Sequence, residues 1–255
     1  MIKAIGRDAP LHPDFGSGTW DGGPIGIPFD VVSNATPTYR VRFQYADESD
    51  RVRYPIPRGV HIEGGARSTG DRHALLVDKS TCRLYELYDL HHTKRGWTAG
   101  SGATWSLSSD ALRPAGWTSA DAAGLPIFPG LARWDEVSAG VIDHALRFTA
   151  PATRREYVYP ARHFASDSTS ASLPPMGLRV RLKASVDISA FPQQARVVLQ
   201  ALKTYGMILA DNGSPWYVSG APNSHWSNDQ LSAMKQLTGA DFEVVDTSSL
   251  PEPGK

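Results

Sequence analysis

The sequence is poor in cysteine: Cys82 is the only one in 255 residues, so no disulfide can form within the chain. It also lacks any run approaching the ~18 apolar residues that span a bilayer. No charge of one sign is in excess, because 26 Lys and Arg residues balance 26 Asp and Glu residues. We therefore expect no membrane partner and no nucleic acid, since phosphate contacts need clustered Lys and Arg. A neutral ligand fits this balance better than a polyanion.

Several catalytic signatures are missing as well. The chain has no Gly-x-Ser-x-Gly elbow, no phosphate-binding loop, no dinucleotide fingerprint and no His-Glu-x-x-His pair. We accordingly expect no cofactor. The first residues lack the apolar segment of a signal peptide, and we expect a secreted protein from which that peptide has been removed.

Glycine and proline are frequent instead, with 23 and 19 residues respectively. They separate many short runs of alternating polar and apolar residues, which predicts a mainly β fold with many turns. We expect a β-sandwich, with a jelly roll as one form of it, and two late helices packed on one side. An α+β fold is the alternative. No linker divides the chain, so residues 1–255 are predicted to form one domain with an extended N-terminal arm over 1–38.

Local signals place the helices and one hairpin. Apolar periodicity after Pro192 predicts a helix over 193–205, and a Ser-x-x-Gln capping box predicts another over 228–237. Asp211-Asn212-Gly213 is a strong hairpin signal between two apolar runs. Residues 118–124 are expected to form a single helical turn. The one cysteine lies in an apolar run, and we expect a buried, unreactive thiol.

Three histidines have charged neighbours in strand-like runs: Asp71-Arg72-His73, Asp143-His144 and Arg162-His163. A strand interior is an expensive place for ionisable groups without partners, so we expect a shared polar site used for proton transfer. A three-histidine metal site is one alternative, because imidazole suits Zn, Cu and Fe. Purely structural histidines are the other.

Carboxylates and aromatic residues extend this site. Asp121 and Asp211 are the acids expected to be catalytic. Asp121 lies beside Trp117 in the predicted helical turn, and Asp211 directly follows an apolar run, where burial would raise its pKa towards general-acid range. Trp117 and Trp216 are expected to stack on a ligand, because indole rings are amphipathic. Two charged side chains complete the predicted substrate-binding set: Glu63 and Arg162.

Several segments together carry a resemblance to a family. They are the Gly70-Asp71-Arg72-His73 segment, Arg113 to Pro126, Ile142 to Phe148, Tyr159 to His163, and Tyr205 to Gly213. The chain resembles an uncharacterised family of secreted proteins common in soil bacteria, over most of residues 12–250. The resemblance implies an exported bacterial protein and assigns no chemistry.

These observations favour a carbohydrate-active enzyme with a polysaccharide or oligosaccharide as its partner. Two carboxyl groups would support glycoside hydrolysis. Arg162-His163 with Tyr157 or Tyr159 would support a polysaccharide lyase instead. A non-catalytic carbohydrate-binding protein is the alternative, and a metal-dependent oxidative enzyme built on the three histidines is the second alternative.

Overall fold

The computed structural model describes residues 1–250. The tail from Pro251 to Lys255, expected from its sequence to fray, lies outside these residues. Within them, seventeen short strands form five sheets, and the α-helices are short. The strands are β1 His12–Asp14, β2 Thr19–Trp20, β3 Gly23–Pro24, β4 Phe29–Val32, β5 Thr38–Arg40, β6 Arg42–Phe43, β7 Arg53–Pro55, β8 Ala74–Asp78, β9 Arg83–Tyr88, β10 His91–Thr93, β11 Gly96–Ala99, β12 Ser101–Ser106, β13 Leu146–Ala150, β14 Arg179–Leu182, β15 Met207–Asn212, β16 Tyr217–Ser219 and β17 Phe242–Val244. The helices are α1 Ile2–Gly6, α2 Trp134–Ala139, α3 Gln193–Thr204 and α4 Asn228–Ser232. The predicted mainly β class is confirmed.

The largest sheet has six strands in the order β1-β16-β13-β15-β14-β17. It is mixed: β1 runs parallel to β16 and β13 parallel to β15, while the other pairs are antiparallel. This mixture differs from the antiparallel pairing of a jelly roll. The main hydrophobic core lies against this sheet and includes Phe148, Leu209 and Trp216.

The two predicted late helices pack against this sheet and against each other. α3 forms because Val198, Leu199 and Leu202 recur at helical spacing and are all fully buried. α4 begins after Ser227, whose hydroxyl accepts a hydrogen bond from the Gln230 N–H group. A 3₁₀ turn over Ala233–Gln236 continues it, so both helix predictions are confirmed.

A second sheet has the order β12-β9-β8-β4. β8 and β9 form the hairpin at its centre, and every residue of β8 is buried. The N-terminal segment joins both large sheets, because β1 pairs with β16 and β4 pairs with β8. Within residues 1–250, no helix has the length and apolarity needed to cross a membrane.

Three local predictions are wrong. The Asp211-Asn212-Gly213 turn does not close a hairpin, because β13 lies between β15 and β16 and pairs with both. Residues 118–124 form bends and turns rather than a helical turn. Cys82 is exposed, with a φ of +50° in the turn between β8 and β9, because the hairpin places it at the tip rather than in a strand.

Candidate functional site

A buried arginine lies at the centre of the candidate site. Arg147 is on β13, and its side chain is only 7% exposed. It donates two hydrogen bonds to Asp121, Nε to Oδ2 at 3.2 Å and Nη2 to Oδ1 at 2.9 Å, and a third to Ser219 Oγ at 2.6 Å. Burial alone would lower the pKa of Arg147, but the charge and hydrogen bonds of Asp121, together with the charges of Asp211 and Glu63, outweigh burial and raise it. Arg147 is therefore a permanently charged buried cation.

This pairing decides the role of Asp121. Its side chain is fully buried, and both carboxylate oxygens accept hydrogen bonds from Arg147. Bidentate pairing with a guanidinium fixes the geometry of a carboxyl group as well as its partner. Asp121 thus positions Arg147, in place of the catalytic role expected from the sequence.

A second buried ion pair lies beside the first. His73, just before β8, places Nδ1 2.5 Å from Oε2 of Glu63, and its Nε2 donates to the Ala120 carbonyl at 2.9 Å. Burial would lower the pKa of His73, but the Glu63 carboxylate outweighs burial and raises it to about 9. Burial raises the pKa of Glu63, yet the charge of His73 and its hydrogen bond leave it below its usual value. At neutral pH the pair is an imidazolium and a carboxylate.

An open cavity of about 370 Å³ adjoins these pairs. Its lining is rich in carboxyl, hydroxyl and phenol groups, and we call it the carboxylate cavity. The residues that line it are Tyr45, Glu48, Asp71, Tyr88, Ser101, Thr118, Ser119, Ala120, Asp121, Ala122, His163, Ala165, Asp211 and Asn212. Three of the predicted catalytic residues therefore meet at one cavity: Asp121, His163 and Asp211.

Asp211 is the most perturbed acid of this cavity. It lies on β15 with its side chain 23% exposed, and its Oδ2 is 3.9 Å from Nη2 of Arg147. Burial, and next the negative charge of Asp121, raise the pKa of Asp211 to about 7, although Arg147 opposes them. Arg147 is already neutralised by Asp121, so it stabilises a second carboxylate only weakly. Asp211 therefore carries a proton for part of the time at neutral pH.

His163 is the histidine of the carboxylate cavity. Its Nδ1 lies 2.8 Å from the carbonyl oxygen of Ala122. Because a carbonyl only accepts hydrogen bonds, Nδ1 carries the hydrogen, and the neutral ring has an unprotonated Nε2. His163 can therefore accept a proton at Nε2 without losing its hydrogen bond to the backbone.

His144 does not join the other two histidines. Its Nε2 lies 3.0 Å from Oε1 of Glu136 on α2, and its Nδ1 lies 2.9 Å from the Ala145 carbonyl oxygen. Burial lowers the pKa of His144, but these hydrogen bonds outweigh it and raise the pKa. Glu136 also pairs with Arg133. His144 lines neither cavity described for this protein, because its nearest partner is the helix just before it in the chain.

The predicted aromatic platforms are elsewhere too. Trp216 is fully buried, stacks on Phe148 and Phe242, and donates its Nε1–H to the Gly6 carbonyl at 2.6 Å. It is a core residue, so its predicted ligand contact is wrong. Trp117 lies outside the lining of the carboxylate cavity and packs against the guanidinium of Arg113, 5.4 Å from the ring centroid.

Arg162, which was expected to bind substrate, does not line that cavity either. Its Nε donates to the Arg113 carbonyl at 3.0 Å. Glu63, the other predicted substrate-binding charge, lines a second and larger cavity of about 1040 Å³. We call this second cavity the groove. His73 connects the two, because it contacts Glu63 of the groove and Ala120 of the carboxylate cavity.

Some functional candidates were missed from the sequence. Arg147 sits in the apolar run Leu146-Arg147-Phe148, where a charged residue is itself a signal of a buried partner. Glu86 is fully buried in β9 and accepts hydrogen bonds from the N–H groups of Ile127 and Phe128. Burial raises the pKa of Glu86 to about 7 despite these bonds. Asp14, which lines the groove, gave no sequence signal.

One group of side chains in the described residues has the spacing of metal ligands. Among residues 1–250, Glu63, Asp71 and His73 have potential ligand atoms that all lie within 4.8 Å of one another. However, a histidine binds a metal only through an unprotonated ring nitrogen, and Nδ1 of His73 carries a proton that it shares with Glu63 in a hydrogen bond. The hydrogen bond from Nε2 to Ala120 occupies the other nitrogen. This donor set fits an ion pair better than a metal ion, and the three predicted histidines do not converge.

The chain was compared with known protein families, curated proteins and solved structures. No protein-family model, no curated protein and no solved structure matched the chain.

Proposed function

We propose that this protein is a carbohydrate-active enzyme that hydrolyses a glycosidic bond in the carboxylate cavity. The observation that carries the proposal is Asp211, a partly exposed carboxyl group with a pKa near 7 at the wall of an open polar cavity. A carboxyl group that is still protonated near neutral pH is suited to donate a proton to a leaving oxygen.

The lining supports a sugar as the ligand. Hydroxyl groups of Ser101 and Thr118, together with the carboxylate of Glu48, offer hydrogen bonds to the hydroxyls of a saccharide. Tyr45 is 49% exposed and Tyr88 also lines the cavity, so both offer an aromatic surface to the C–H faces of a sugar ring. The volume falls in the ~300–1,000 Å³ range of small-molecule sites, which favours a short saccharide or a chain end.

The chemistry needs a second carboxyl group. Asp71 lines the same cavity, and its negative charge contributes to the raised pKa of Asp211. In the proposed reaction Asp211 protonates the glycosidic oxygen, the bond to the anomeric carbon breaks, and water attacks that carbon. Asp71 accepts the proton of the attacking water, as in an inverting hydrolase.

The experiment measures reducing ends released from a panel of oligosaccharides and soluble polysaccharides. Asp211→Asn keeps the shape but cannot donate a proton, so turnover should fall by roughly 10²–10⁴-fold. Asp47→Asn is the matched control, because the Asp47 side chain is fully exposed, and it should turn over like the wild type. Equal turnover by Asp211→Asn, or no reducing ends from any substrate with the wild type, would contradict the proposal.

A further inference from the structure

The groove is lined by residues that do not line the carboxylate cavity. It has a volume of about 1040 Å³, and β1, the β2–β3 hairpin, the 63–70 loop, β16 and α4 all contribute to its walls. Its charged lining is mixed, with Asp14, Asp21 and Glu63 on the acidic side and Arg67 and Lys235 on the basic side. Such a lining does not favour a strongly charged ligand of either sign.

Trp20 is the most unusual of these residues. It lines the groove and is 80% exposed, more than any other large hydrophobic side chain among residues 1–250. The turn that follows is built for a tight hairpin, because Asp21 has a φ of +48° and Gly22 a φ of +82°. An indole ring held open to solvent at the edge of a groove is a surface on which a flat apolar ligand face can stack.

The hairpin that carries Trp20 is fixed against the groove. A Cβ added at Gly23 would lie 2.2 Å from the Gly64 carbonyl carbon, so the backbone of the hairpin touches the backbone of the loop that follows Glu63. Only glycine allows this approach. The contact fixes the hairpin of Trp20 against the loop of Glu63, and both residues line the groove.

The groove lining also contains a stacked aromatic pair with a buried polar atom that lacks a hydrogen-bond partner. His12 on β1 stacks on Tyr217 of β16, with ring centroids 4.0 Å apart and planes 8° from parallel. Burial, and then the positive charge of Lys235, lower the pKa of His12, so the ring is neutral. Within residues 1–250 its buried Nδ1 has no hydrogen-bond partner.

Two carboxyl groups of the groove lining, those of Asp14 and Glu63, have shifted pKa values. Burial, and then the charge of Glu63, raise the pKa of Asp14, whereas His73 keeps the pKa of Glu63 below its usual value. An ionised carboxylate accepts hydrogen bonds, and a protonated carboxyl group also donates one. A ligand with hydroxyl groups, which both donate and accept, can therefore hydrogen-bond to both side chains in either protonation state.

We propose that the groove is a second binding site, which takes an extended and uncharged polysaccharide chain with one sugar ring stacked on Trp20. Its hydroxyl groups hydrogen-bond to Asp14 and Glu63. This site goes beyond the proposed hydrolysis and does not require it, because binding in the groove can be measured without turnover. It also explains why a large aromatic ring is left in water on a fixed hairpin.

The test is affinity electrophoresis of the full chain in native gels. The gels contain galactomannan, xylan, hydroxyethyl cellulose or pullulan as uncharged probes, alginate as a polyanion, or gelatin as an extended peptide. We expect slower migration in at least one uncharged gel, and Trp20→Ala should weaken that binding about tenfold, in line with the ~1.4 kcal/mol that aromatic contacts reach. Because Trp20 packs little, the variant should melt like the wild type.

Two variants separate this site from the rest of the surface. Tyr39→Ala removes another exposed aromatic ring, 41% exposed and outside the groove lining, and should bind like the wild type. Asp211→Asn should also keep normal binding, so that failed hydrolysis and failed groove binding give different results. Unchanged migration in every uncharged gel, binding only to alginate or gelatin, or full binding by Trp20→Ala would each overturn the proposal.

Discussion

The buried His73–Glu63 pair gives a stability prediction whose size follows from the structure. His73 is 2% exposed, and its pKa rises from 6.5 to about 9 on folding because of Glu63. One pKa unit corresponds to about 1.4 kcal/mol, so protonation of this histidine contributes roughly 3 kcal/mol to the free energy of unfolding. Replacing it with Gln keeps a donor near the Ala120 carbonyl and removes the charge.

The sign of the pH dependence follows from linkage. A histidine whose pKa is higher in the folded state contributes its full stabilisation below the unfolded pKa of 6.5. That stabilisation is lost as the pH rises through about 9. The opposite holds for Glu63, whose lowered pKa stabilises the fold above the ordinary value of 4.5 and less at lower pH. The pair should therefore stabilise the fold most between about pH 5 and 6.5.

Urea unfolding at pH 6, 7.5 and 10 measures this effect. The difference between wild type and His73→Gln should shrink by about 3 kcal/mol from pH 6 to pH 10, with about one third of the loss by pH 7.5. Both proteins keep Asp211 and Glu86, so their titrations cancel in the difference except for the lesser contribution that the charge of His73 makes to each pKa. Curves that stay parallel over this range would mean that His73 is not an imidazolium in the native state, and the reasoning would fail.

A matched control is available in the same chain. His61 also pairs with a carboxylate, with Nδ1 2.6 Å from Oδ1 of Asp30, but its side chain is 68% exposed. Solvent screens such a pair, and exposed ion pairs contribute only ~0–1 kcal/mol. His61→Gln should therefore change stability little at any of the three pH values.

Two further predictions concern Asp211 and Trp216. Asp211 binds its proton more tightly in the folded state, so the wild-type free energy of unfolding should fall as the pH rises from about 4 to 7. Asp211→Asn should reduce that fall, and an unchanged pH dependence in urea unfolding would contradict the raised pKa of Asp211. Trp216→Ala should cost ~3–5 kcal/mol because it leaves a cavity between Phe148 and Phe242, whereas Trp117→Ala should cost less because Trp117 is only partly buried. Thermal melts compare the two variants, and equal losses would count against the core assignment.

The parts of the fold that sequence predicted correctly depend on local signals. α3 follows from apolar residues at helical spacing after Pro192, and α4 from the Ser227 cap. In both cases the residues that decide the structure lie within one helix or directly before it, so their pattern can be read without the rest of the chain.

The turn at Asp211-Asn212-Gly213 shows where local reasoning ends. Its residues favour a tight hairpin, but β13 inserts between the two flanking strands and pairs in parallel with β15. β13 precedes β15 by about 60 residues, and parallel pairing needs such a long connection. The residues near the turn give no signal that β13 lies between β15 and β16. The local pattern therefore predicted the two strands but not their pairing with β13.

The candidate site was only half predictable for a related reason. A charged neighbour correctly marked His73 as a buried ionisable group, yet its actual partner is Glu63, ten residues earlier in a loop. The same reasoning grouped His144 with the others, although Glu136 lies eight residues before it and forms its hydrogen bond. A pattern of charges shows that a partner is needed, and the fold decides which one is supplied.

The balance of buried charges links the two cavities. Arg147 and His73 are the cations of the centre, and Asp121 and Glu63 pair with them one to one. Burial raises the pKa of three further carboxyl groups, those of Asp14, Glu86 and Asp211. Arg147 lies 3.9 Å from Asp211 but is already paired with Asp121. The number of buried cations therefore limits how many carboxyl groups can ionise. Asp211 lines the carboxylate cavity and Asp14 lines the groove, so each cavity has one carboxyl group whose pKa is raised by burial.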